Sequence, residues 1–462
     1  MLPLNPKPVK LTNAPVVAPA DLLAGLTPDV AAALGRATAI AARRRLGLWL
    51  IGGAVRDLLR GAALDRDIDL AVEGDAVDLA AALAEALGGR VLASHRAFGT
   101  ATLGIPRAAA GSGELTLDLA GTRAEEYPQP AALPVVRPSD IADDLRRRDF
   151  SVNAIAVELL ADAGTLRAGI LRDPFGGRAD LAAGRLRLLH PYSFRDDPTR
   201  LLRGLRLASR LDLRPDEATA AQIADALTRG YLRMLSPERA LGEICLALDE
   251  PRPDAVLALA DAWGVTPQVV PGLAWSAALA ERFTRRRATE AWSAGGAIRG
   301  EPETTGGDRL AASGWRLATI DAGLLCYDLG ADQLAEIAAR YPLPTPFARL
   351  LQEIPAARAV ARRLNADLRP SQIDLLLRPL SAAGIRVLHC AEIGSAGQIA
   401  ARYLGEIRPA RAPLDGRDIQ RLGIAPGPNI GRLLDGLRAA HLDGEVTTRA
   451  QAEVWVQAQI CS

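Results

Sequence analysis

Lysine and cysteine are nearly absent from this 462-residue sequence. Lys7 and Lys10 are its only lysines, so a Walker-type phosphate loop, which depends on a lysine, is excluded from the rest of the chain. The four cysteines lie far apart without paired spacing, which argues against a disulfide framework and against a zinc site. The scarcity of cysteine favours a protein of the reducing cytoplasm.

Long apolar runs and an excess of charge of one sign are also missing. The N-terminal residues lack the continuous apolar core of a signal peptide, and no stretch of about 18 uncharged apolar residues follows, so we expect neither secretion nor a membrane span. Because the formal net charge is only +1, any binding of nucleic acid must depend on local basic patches. Arginine suits that purpose, since its planar guanidinium matches phosphates and base edges.

Aromatic residues make up only 4% of the sequence, and long segments rich in alanine and leucine are punctuated by arginine and glutamate. That composition favours helices over a β-sandwich. The first part of the chain alternates short β-like runs with helical ones, whereas the part after about residue 190 has helical periodicity almost throughout. The sequence therefore predicts an α+β part with a mixed sheet, followed by an all-α part.

Two short motifs in the first part carry the chemistry. An apolar strand at residues 48–51 ends at Gly52 and Gly53, so the N-terminus of the next helix and its Arg56 can meet a triphosphate. Residues 67–72 alternate in polarity, which places Asp67 and Asp69 on one face of a strand. Paired carboxylates bind magnesium against phosphate oxygens, as in-line phosphoryl transfer requires. We therefore expect two Mg²⁺ ions at the two aspartates.

Each motif alone also fits a plainer interpretation, namely a turn at residues 52–53 and a solvated strand face at residues 67–69. Other motifs fit worse, because a G-x-G-x-x-G pattern is absent here and an EF-hand reading fails at Leu70 and Ala76. Downstream of the acidic pair, the pattern predicts a helix at residues 75–87, closed by glycines, and strands at 90–105 and 114–120. On the last of these strands, Asp118 faces the same way as the acidic pair requires. Asp118 is therefore either a third metal-binding carboxylate or a polar residue on the outer face of the strand.

Further motifs follow in an order known from one family. The chain contains RRDFSVNA at 147–154, DPFGG at 173–177, RDDPTR at 195–200 and SPER at 236–239. These motifs resemble those of the class II tRNA nucleotidyltransferases and bacterial poly(A) polymerases, which belong to the polymerase-β-like nucleotidyltransferases. The segment LDGRDIQRLGIAPGPNIG, which begins at Leu414, resembles the tail of the same family.

The resemblance implies a domain order and a set of nucleotide-binding residues. The domains are an N-terminal leader and helix at 1–45, a polymerase-β-like head at 46–188, a helical neck that recognises the base at 189–262, a helical body at 263–408 and a helical tail at 409–462. The implied nucleotide-binding residues are Gly52, Gly53, Arg56, Arg148, Asp149, Asn153, Asp197, Arg200, Arg203 and Arg206.

Residues 197–209 also carry a pattern that is independent of the family. At about 100° per residue, the apolar residues of this segment fall within one third of the helix circumference, and its charged residues spiral over the open face. A solvated, salt-bridged face is the alternative interpretation. By the resemblance, Asp197 accepts a hydrogen bond from the exocyclic amine of cytosine or adenine, and Arg200 donates to the adjacent ring nitrogen. Uracil and guanine would leave these groups mismatched.

The resemblance implies an enzyme that adds CCA, or part of it such as the terminal A, to the 3′ end of tRNA from CTP and ATP. The same motifs also fit a poly(A) polymerase that acts on other RNA, and a non-catalytic RNA-binding protein is a third hypothesis. The presence of both aspartates together with the nucleotide-site residues argues against the third. We expect the acceptor arm of tRNA to bind through phosphate and shape contacts.

Overall fold

The computed structural model describes residues 19–66, 68–107, 113–162, 165–295 and 319–460, and the chain divides into two compact units, Met1–Leu235 and Ser236–Ser462. The strands of the first unit are β1 Gly47–Ile51, β2 Ile68–Glu73, β3 Arg90–His95, β4 Thr100–Pro106, β5 Glu114–Gly121, β6 Arg123–Glu126, β7 Val135–Pro138, β8 Ala156–Asp162, β9 Thr165–Arg172, β10 Arg185–Leu186 and β11 Arg214–Pro215. Its α-helices are α1 Pro28–Arg43, α2 Gly53–Leu59, α3 Ala76–Leu87, α4 Ile141–Arg146, α5 Gly177–Ala182, α6 Ser193–Asp196, α7 Thr199–Leu211 and α8 Glu217–Thr228.

Seven strands form the main sheet, in the order β3-β4-β5-β2-β1-β8-β9. Strand β2 runs parallel to β5, whereas the other neighbouring pairs are antiparallel, so the predicted mixed sheet is confirmed. Ile68, Leu70 and Val72 of β2 are fully buried in a core that includes Leu34 of α1 and Leu83 of α3. One face of the sheet is therefore closed by these two helices.

The opposite face of the sheet is only partly covered. Ala71 is buried in a second cluster with Trp49 of β1 and Leu145 of α4, whereas Asp69 is exposed. Helix α4 begins at Asp140, whose carboxylate accepts a hydrogen bond from the N–H of Asp143. The sheet thus presents Asp69 beside a helix-covered patch rather than on an open polar face.

Local signals account for several elements of the first unit. Helix α3 begins at Asp75, whose carboxylate accepts hydrogen bonds from the N–H groups of Val77 and Asp78, and it ends at Gly88 in the left-handed conformation. The predicted strand at residues 90–105 is wrong as one element. It is two antiparallel strands, because the 3-10 turn Arg96–Phe98 and Gly99 reverse the chain between β3 and β4.

Helix α7 departs from the predicted polarity. Leu201, Leu205 and Ala208 are buried as expected, but Arg200 is only 5% exposed and Leu207 is buried too. The helix therefore has packing partners over much more than one third of its circumference. The prediction that Arg200 lies on an open face is wrong, because acceptors from neighbouring segments surround its guanidinium.

The described part of the second unit is helical, without strands. Its helices are α9 Pro237–Leu248, α10 Pro253–Ala262, α11 Thr266–Val269, α12 Ala277–Gly295, α13 Thr319–Cys326, α14 Ala331–Arg340, α15 Thr345–Ala361, α16 Pro370–Leu377, α17 Ala382–Ala391, α18 Ser395–Arg402, α19 Gly416–Arg421, α20 Pro428–Leu442 and α21 Arg449–Ile460, with a π-helical turn at Tyr403–Ile407. The predicted α+β part followed by an all-α part is confirmed. Within the described ranges, no helix combines the length and the apolar character needed to cross a membrane.

The last helices of the second unit have their own apolar cluster, centred on Leu437, Val446 and Val456. Asp374 of α16 forms an ion pair of 2.8 Å with Arg438 of α20, which ties this cluster to the preceding helices. The predicted five-segment domain order stays a prediction. The division between the two compact units falls at residue 235, within the segment predicted as the neck.

Candidate nucleotidyltransferase site

Two carboxylates lie side by side at the exposed face of the main sheet. Strands β2 and β5 are parallel, and Asp69 is the register partner of Asp118. Both residues are exposed, and the Thr102 hydroxyl of β4 donates a hydrogen bond of 2.6 Å to Oδ1 of Asp118. Because paired residues of adjacent strands point to the same face, the register brings two acidic groups together.

The other predicted metal ligand, Asp67, lies outside the described residues. Its place beside Asp69 therefore stays a prediction. Among the residues that the structure describes, no group of three or more histidines, cysteines or carboxylates is close enough to hold a metal ion. Asp69 and Asp118 supply hard oxygen donors from two strands, and such donors match what magnesium prefers. A complete magnesium site at this face would need Asp67 in addition.

Gly52 brings the loop after β1 next to the acidic face. Its φ of +66° is a conformation that favours glycine. A Cβ atom at Gly52 would lie 3.0 Å from Nη1 of Arg148 and 3.9 Å from Oδ2 of Asp69. Glycine at this position thus leaves room for the guanidinium of Arg148 and the carboxylate of Asp69 beside the backbone. The N–H of Gly52 donates to the carbonyl of Ile155, so it is not a phosphate donor here.

Arg56 does not point outward from the N-terminus of α2 as a triphosphate clamp would. It is only 4% exposed, and it forms an ion pair of 2.8 Å with Asp57. Its Nη1 group donates a hydrogen bond of 2.7 Å to Oδ1 of Asn153. The guanidinium also lies against Gly53, whose added Cβ would be 3.4 Å from Nη2. Arg56 therefore positions Asn153 and fixes the loop before α2.

Arg148 is held beside the acidic face by a buried acid. Its Nη2 group donates a hydrogen bond of 2.9 Å to Asp144, which also forms an ion pair of 2.6 Å with Arg147. Burial opposes ionisation of Asp144, but the charges of Arg148 and Arg147 hold the pKa of that carboxyl below its usual value. The Nε group of Arg148 is buried and has no hydrogen-bond partner among the described residues.

Asp149 anchors an arginine rather than facing an open space. It is 5% exposed, and it forms an ion pair of 2.8 Å with Arg203 of α7. It also accepts hydrogen bonds from the N–H of Phe150 and from Nδ2 of Asn153. Burial opposes ionisation, but the charges of Arg203 and Arg200 lower the pKa of Asp149. The half-exposed Arg203 is thereby held at the surface by a buried carboxylate.

The predicted base-reading residues lie at the start of α7. Asp197 precedes the helix, and its Oδ1 accepts hydrogen bonds from the N–H and the hydroxyl of Thr199, at 3.1 and 2.6 Å. Arg206 is partly buried one turn beyond Arg203 on the same helix. Asp197 therefore accepts both hydrogen bonds from the first residue of α7, and these bonds orient its carboxylate.

The guanidinium of Arg200 is in contact with four neighbours. Its Nη2 group donates to the carbonyl of Arg147 at 2.7 Å and to the Tyr127 hydroxyl at 3.3 Å. Its Nη1 group donates to the Ser193 hydroxyl at 2.8 Å and lies 3.2 Å from Nε2 of His190. All four Nη hydrogens can be placed in these contacts. To reach a base through an Nη group, Arg200 must therefore exchange one of these contacts.

The residues that hold Arg200 were not among those predicted from the sequence. Tyr127 donates a hydrogen bond of 2.8 Å to Glu125, and burial raises the pKa of this tyrosine. Burial, and then the charge of Arg200, lower the pKa of His190 to about 4, so that its imidazole is neutral at pH 7. No spacing rule links these residues to Arg200. The only available signal was that His190 lies close to the RDDPTR motif.

Comparison with known proteins agrees with this arrangement. Residues 48–187 match the family of the poly A polymerase head domain. An A-adding tRNA nucleotidyltransferase of Halalkalibacterium halodurans is 44% identical over 230 residues, which are 49% of this chain. The matches cover 51%, 29% and 44% of the length of that relative and of two further A-adding relatives.

Other similarities extend over nearly the whole chain. A CC-adding tRNA nucleotidyltransferase of Deinococcus radiodurans is 33% identical over 414 residues, which are 89% of either protein. The Thermotoga maritima CCA-adding enzyme complexed with tRNA has a TM-score of 0.70 at 26% identity, covering 95% of this chain and 97% of that one. CCA-adding enzymes solved with ATP and with CTP give TM-scores of 0.73 and 0.71. The chain belongs to the class II tRNA nucleotidyltransferase and poly(A) polymerase family.

Proposed function

We propose that this chain is a tRNA nucleotidyltransferase that adds C, A or both to the 3′ end of tRNA from CTP and ATP, without a nucleic-acid template. The observation that carries the proposal is the register pair of Asp69 and Asp118 on the exposed face of the sheet. The relatives named A-adding and CC-adding tRNA nucleotidyltransferases support it, as does the neighbour complexed with tRNA. In the proposed step, the 3′-hydroxyl oxygen of the RNA bonds to the α-phosphorus and pyrophosphate leaves.

The carboxylates of Asp67 and Asp69 would hold the two Mg²⁺ ions, with Asp118 as a third ligand. When bound, magnesium supplies the positive charge that offsets the oxygens of the triphosphate. The residues of the chain do the rest. Thr102 orients the Asp118 carboxylate, and Arg148 places a positive charge beside Gly52 and close to Asp69, where it can meet phosphate oxygens.

Base selection is assigned to Asp197 and Arg200. Asp197 accepts from the exocyclic amine that cytosine and adenine share, and Arg200 donates to the neighbouring ring nitrogen after it exchanges one of its present contacts. The hydrogen bond from the Thr199 hydroxyl supports this role, because it orients the carboxylate before the base arrives. Arg203, held by Asp149, and Arg206 then bind phosphates or place the pair.

The other residues of the predicted site act by positioning. Arg56 and Asn153 form a chain of hydrogen bonds from the loop before α2 to Asp149. Gly52 and Gly53 leave the space into which the guanidinium groups of Arg148 and Arg56 pack. The cytoplasmic location that the composition suggested stays a prediction.

One assay tests the proposal. Purified protein is incubated with tRNA that ends before CCA, at C or at CC, with CTP and ATP supplied singly and together, and the products are sequenced. We expect addition of C, of A or of both that stops at or before the complete CCA end. Extension of unrelated RNA into long A tracts would instead establish a poly(A) polymerase, which the family of the head domain also includes. Absence of incorporation from every substrate would indicate a non-catalytic RNA-binding protein.

A further inference from the structure

The first unit contains a cleft that no step of the proposed reaction uses. Its volume is about 330 Å³, and the residues that matter for its chemistry are Tyr192, Phe194, Arg195, Gln222, Arg229 and Tyr231. They come from α6 and the residue before it, from α8 and the residue after it, and from the 3-10 turn Tyr231–Met234. The volume is at the lower end of the range of small-molecule pockets, about 300 to 1,000 Å³.

Aromatic and guanidinium planes dominate the lining. Tyr192 is 58% exposed although it is a large aromatic residue, and the guanidinium of Arg195 lies 5.5 Å from the centroid of its ring. Phe194 is buried behind them. A solvent-exposed tyrosine beside a stacked arginine is a surface on which a planar, electron-rich ring can bind, because both present flat faces.

One of the residues that line the cleft, Gln222, has an acceptor that lacks a donor. The Oε1 atom of Gln222 is buried and has no hydrogen-bond partner among the described residues. A buried polar atom without a partner costs free energy, so a ligand that donates a hydrogen bond there is favoured. The exocyclic amine or ring N–H of a nucleobase is such a donor.

The charge at the rim favours an anionic ligand. Arg195 and Arg229 both line the cleft, and Asp225 offsets one of these charges through an ion pair of 2.8 Å with Arg229. The remaining positive charge suits a phosphate, the two tyrosine rings suit a base, and the buried acceptor suits a base amine. We propose that this cleft binds one nucleotide, with its base against Tyr192 and Arg195 and its donor group on Gln222.

The bound nucleotide has two possible sources, a free nucleotide or an unpaired nucleotide of an RNA chain. The first source does not depend on the proposed function, whereas the second rests on it. Arg195 lies two residues before Asp197, so the cleft is lined by a residue that is close in the chain to the start of α7. The cleft is nevertheless distinct in its lining from the acidic face of the sheet.

Photolabelling followed by peptide mapping tests the assignment. The full chain is irradiated with 8-azidoadenosine 5′-monophosphate and digested with trypsin. We expect label in the peptide at residues 230–233, which contains Tyr231 and none of the residues that contact Arg200. Excess adenosine 5′-monophosphate should remove that label, and ribose 5-phosphate at the same concentration should not, because it lacks the base. A second arm uses a tRNA acceptor-stem hairpin with 8-azidoadenosine in its unpaired 3′ segment.

Two variants decide the outcome. Gln222→Leu should weaken competition by adenosine 5′-monophosphate about tenfold, because the base amine then loses its acceptor. Tyr192→Leu, a change at an exposed position, should reduce labelling of residues 230–233 to a similar degree. Gln398→Leu, at an exposed position of α18, is the matched control and should label as the unaltered chain does. Label from the monophosphate alone identifies a free-nucleotide site, and label from the hairpin identifies an RNA site.

Either result supports the proposal, whether or not the chain adds nucleotides to tRNA. Absence of label in residues 230–233 from both probes would overturn it, as would label that is unchanged in Gln222→Leu and Tyr192→Leu.

Discussion

At the scale of single residues, the site depends on which donors and acceptors are already engaged. Arg200 donates to a carbonyl, two hydroxyls and an imidazole nitrogen, so its orientation is fixed before any nucleotide binds. Binding of a base to a side chain that is already held costs little further conformational entropy. Arg200 can also respond to anything that changes its neighbours, and His190 is the neighbour that titrates most readily.

Acidification should weaken the packing around Arg200. Burial, and then the charge of Arg200, lower the pKa of His190 to about 4 in the folded chain, against about 6.5 for an exposed histidine. The unfolded chain therefore binds this proton at higher pH, so the free energy of unfolding should fall as the pH drops from about 6.5 towards 4. Urea denaturation at several pH values measures this slope. The slope should be shallower in His190→Gln, and an equal slope in both proteins would contradict the assignment.

Replacing either base-reading residue should change base choice more than triphosphate binding. Asp197→Ala or Arg200→Ala should relax or abolish the preference for C and A over U and G. Each substitution removes a polar group that uracil and guanine would leave mismatched. Incorporation of each of the four nucleotides, measured singly, gives the ratios. Asp212→Ala, after the end of α7, is the control. An unchanged preference in both variants would remove the base-reading assignment.

The residue types of the site were predictable from sequence because the chemistry restricts them, as with Asp69 in its alternating strand. The partners that these residues contact were not predictable. Arg56 was predicted to meet a triphosphate, but it pairs with Asp57 and Asn153. The Asp149–Arg203 ion pair joins positions far apart in the chain. Only the fold brings these groups together, and a single sequence contains no signal for such pairs.

At the scale of elements, α7 is positioned by a close contact with the RRDF segment. A Cβ atom at Gly204 would lie 2.7 Å from Cζ of Phe150, which is itself fully buried. The absence of a side chain at Gly204 therefore lets α7 approach the head closely. This approach also brings Arg200 and Arg203 to their partners on the RRDF segment.

Gly204→Ala should destabilise the chain by about 1 to 3 kcal/mol, because the added methyl group overpacks a filled contact. Alanine favours helix over glycine by about 1 kcal/mol, so the loss would occur against helix propensity. Gly431→Ala on α20, where an added Cβ meets no atom within 4 Å, is the matched control and should be neutral or stabilising. Chemical denaturation gives both values. Equal effects of the two substitutions would show that the contact with Phe150 is unimportant.

Elements with strong local signals were predicted well. Helix α3 has an aspartate at its start and a glycine at its end, and both signals lie within the sequence of the helix. The reversal between β3 and β4 was missed, because Arg96 and Phe98 are not typical turn residues. The burial of α7 was underestimated for a different reason. Periodicity reports one apolar face, whereas ion pairs and hydrogen bonds also bury arginines such as Arg200.

At the scale of the whole molecule, the net charge of only +1 means that the proposed binding of tRNA must depend on local patches of arginine. Affinity for tRNA should then fall as salt rises, because each phosphate contact releases counterions. We expect at least about a tenfold loss between 50 and 200 mM salt, measured by filter binding. An affinity independent of salt would show that the expected phosphate contacts do not carry the binding.

The most direct test concerns the acidic face of the sheet. Asp69→Asn keeps the size and exposure of the side chain but removes its charge, so incorporation of labelled ATP or CTP into tRNA should fall by about a thousandfold or more. Glu85→Gln, an equal change of charge at an exposed position of α3, should leave the rate unchanged, and both variants should unfold at the same temperature as the original chain. Incorporation by Asp69→Asn at the rate of Glu85→Gln would contradict the account.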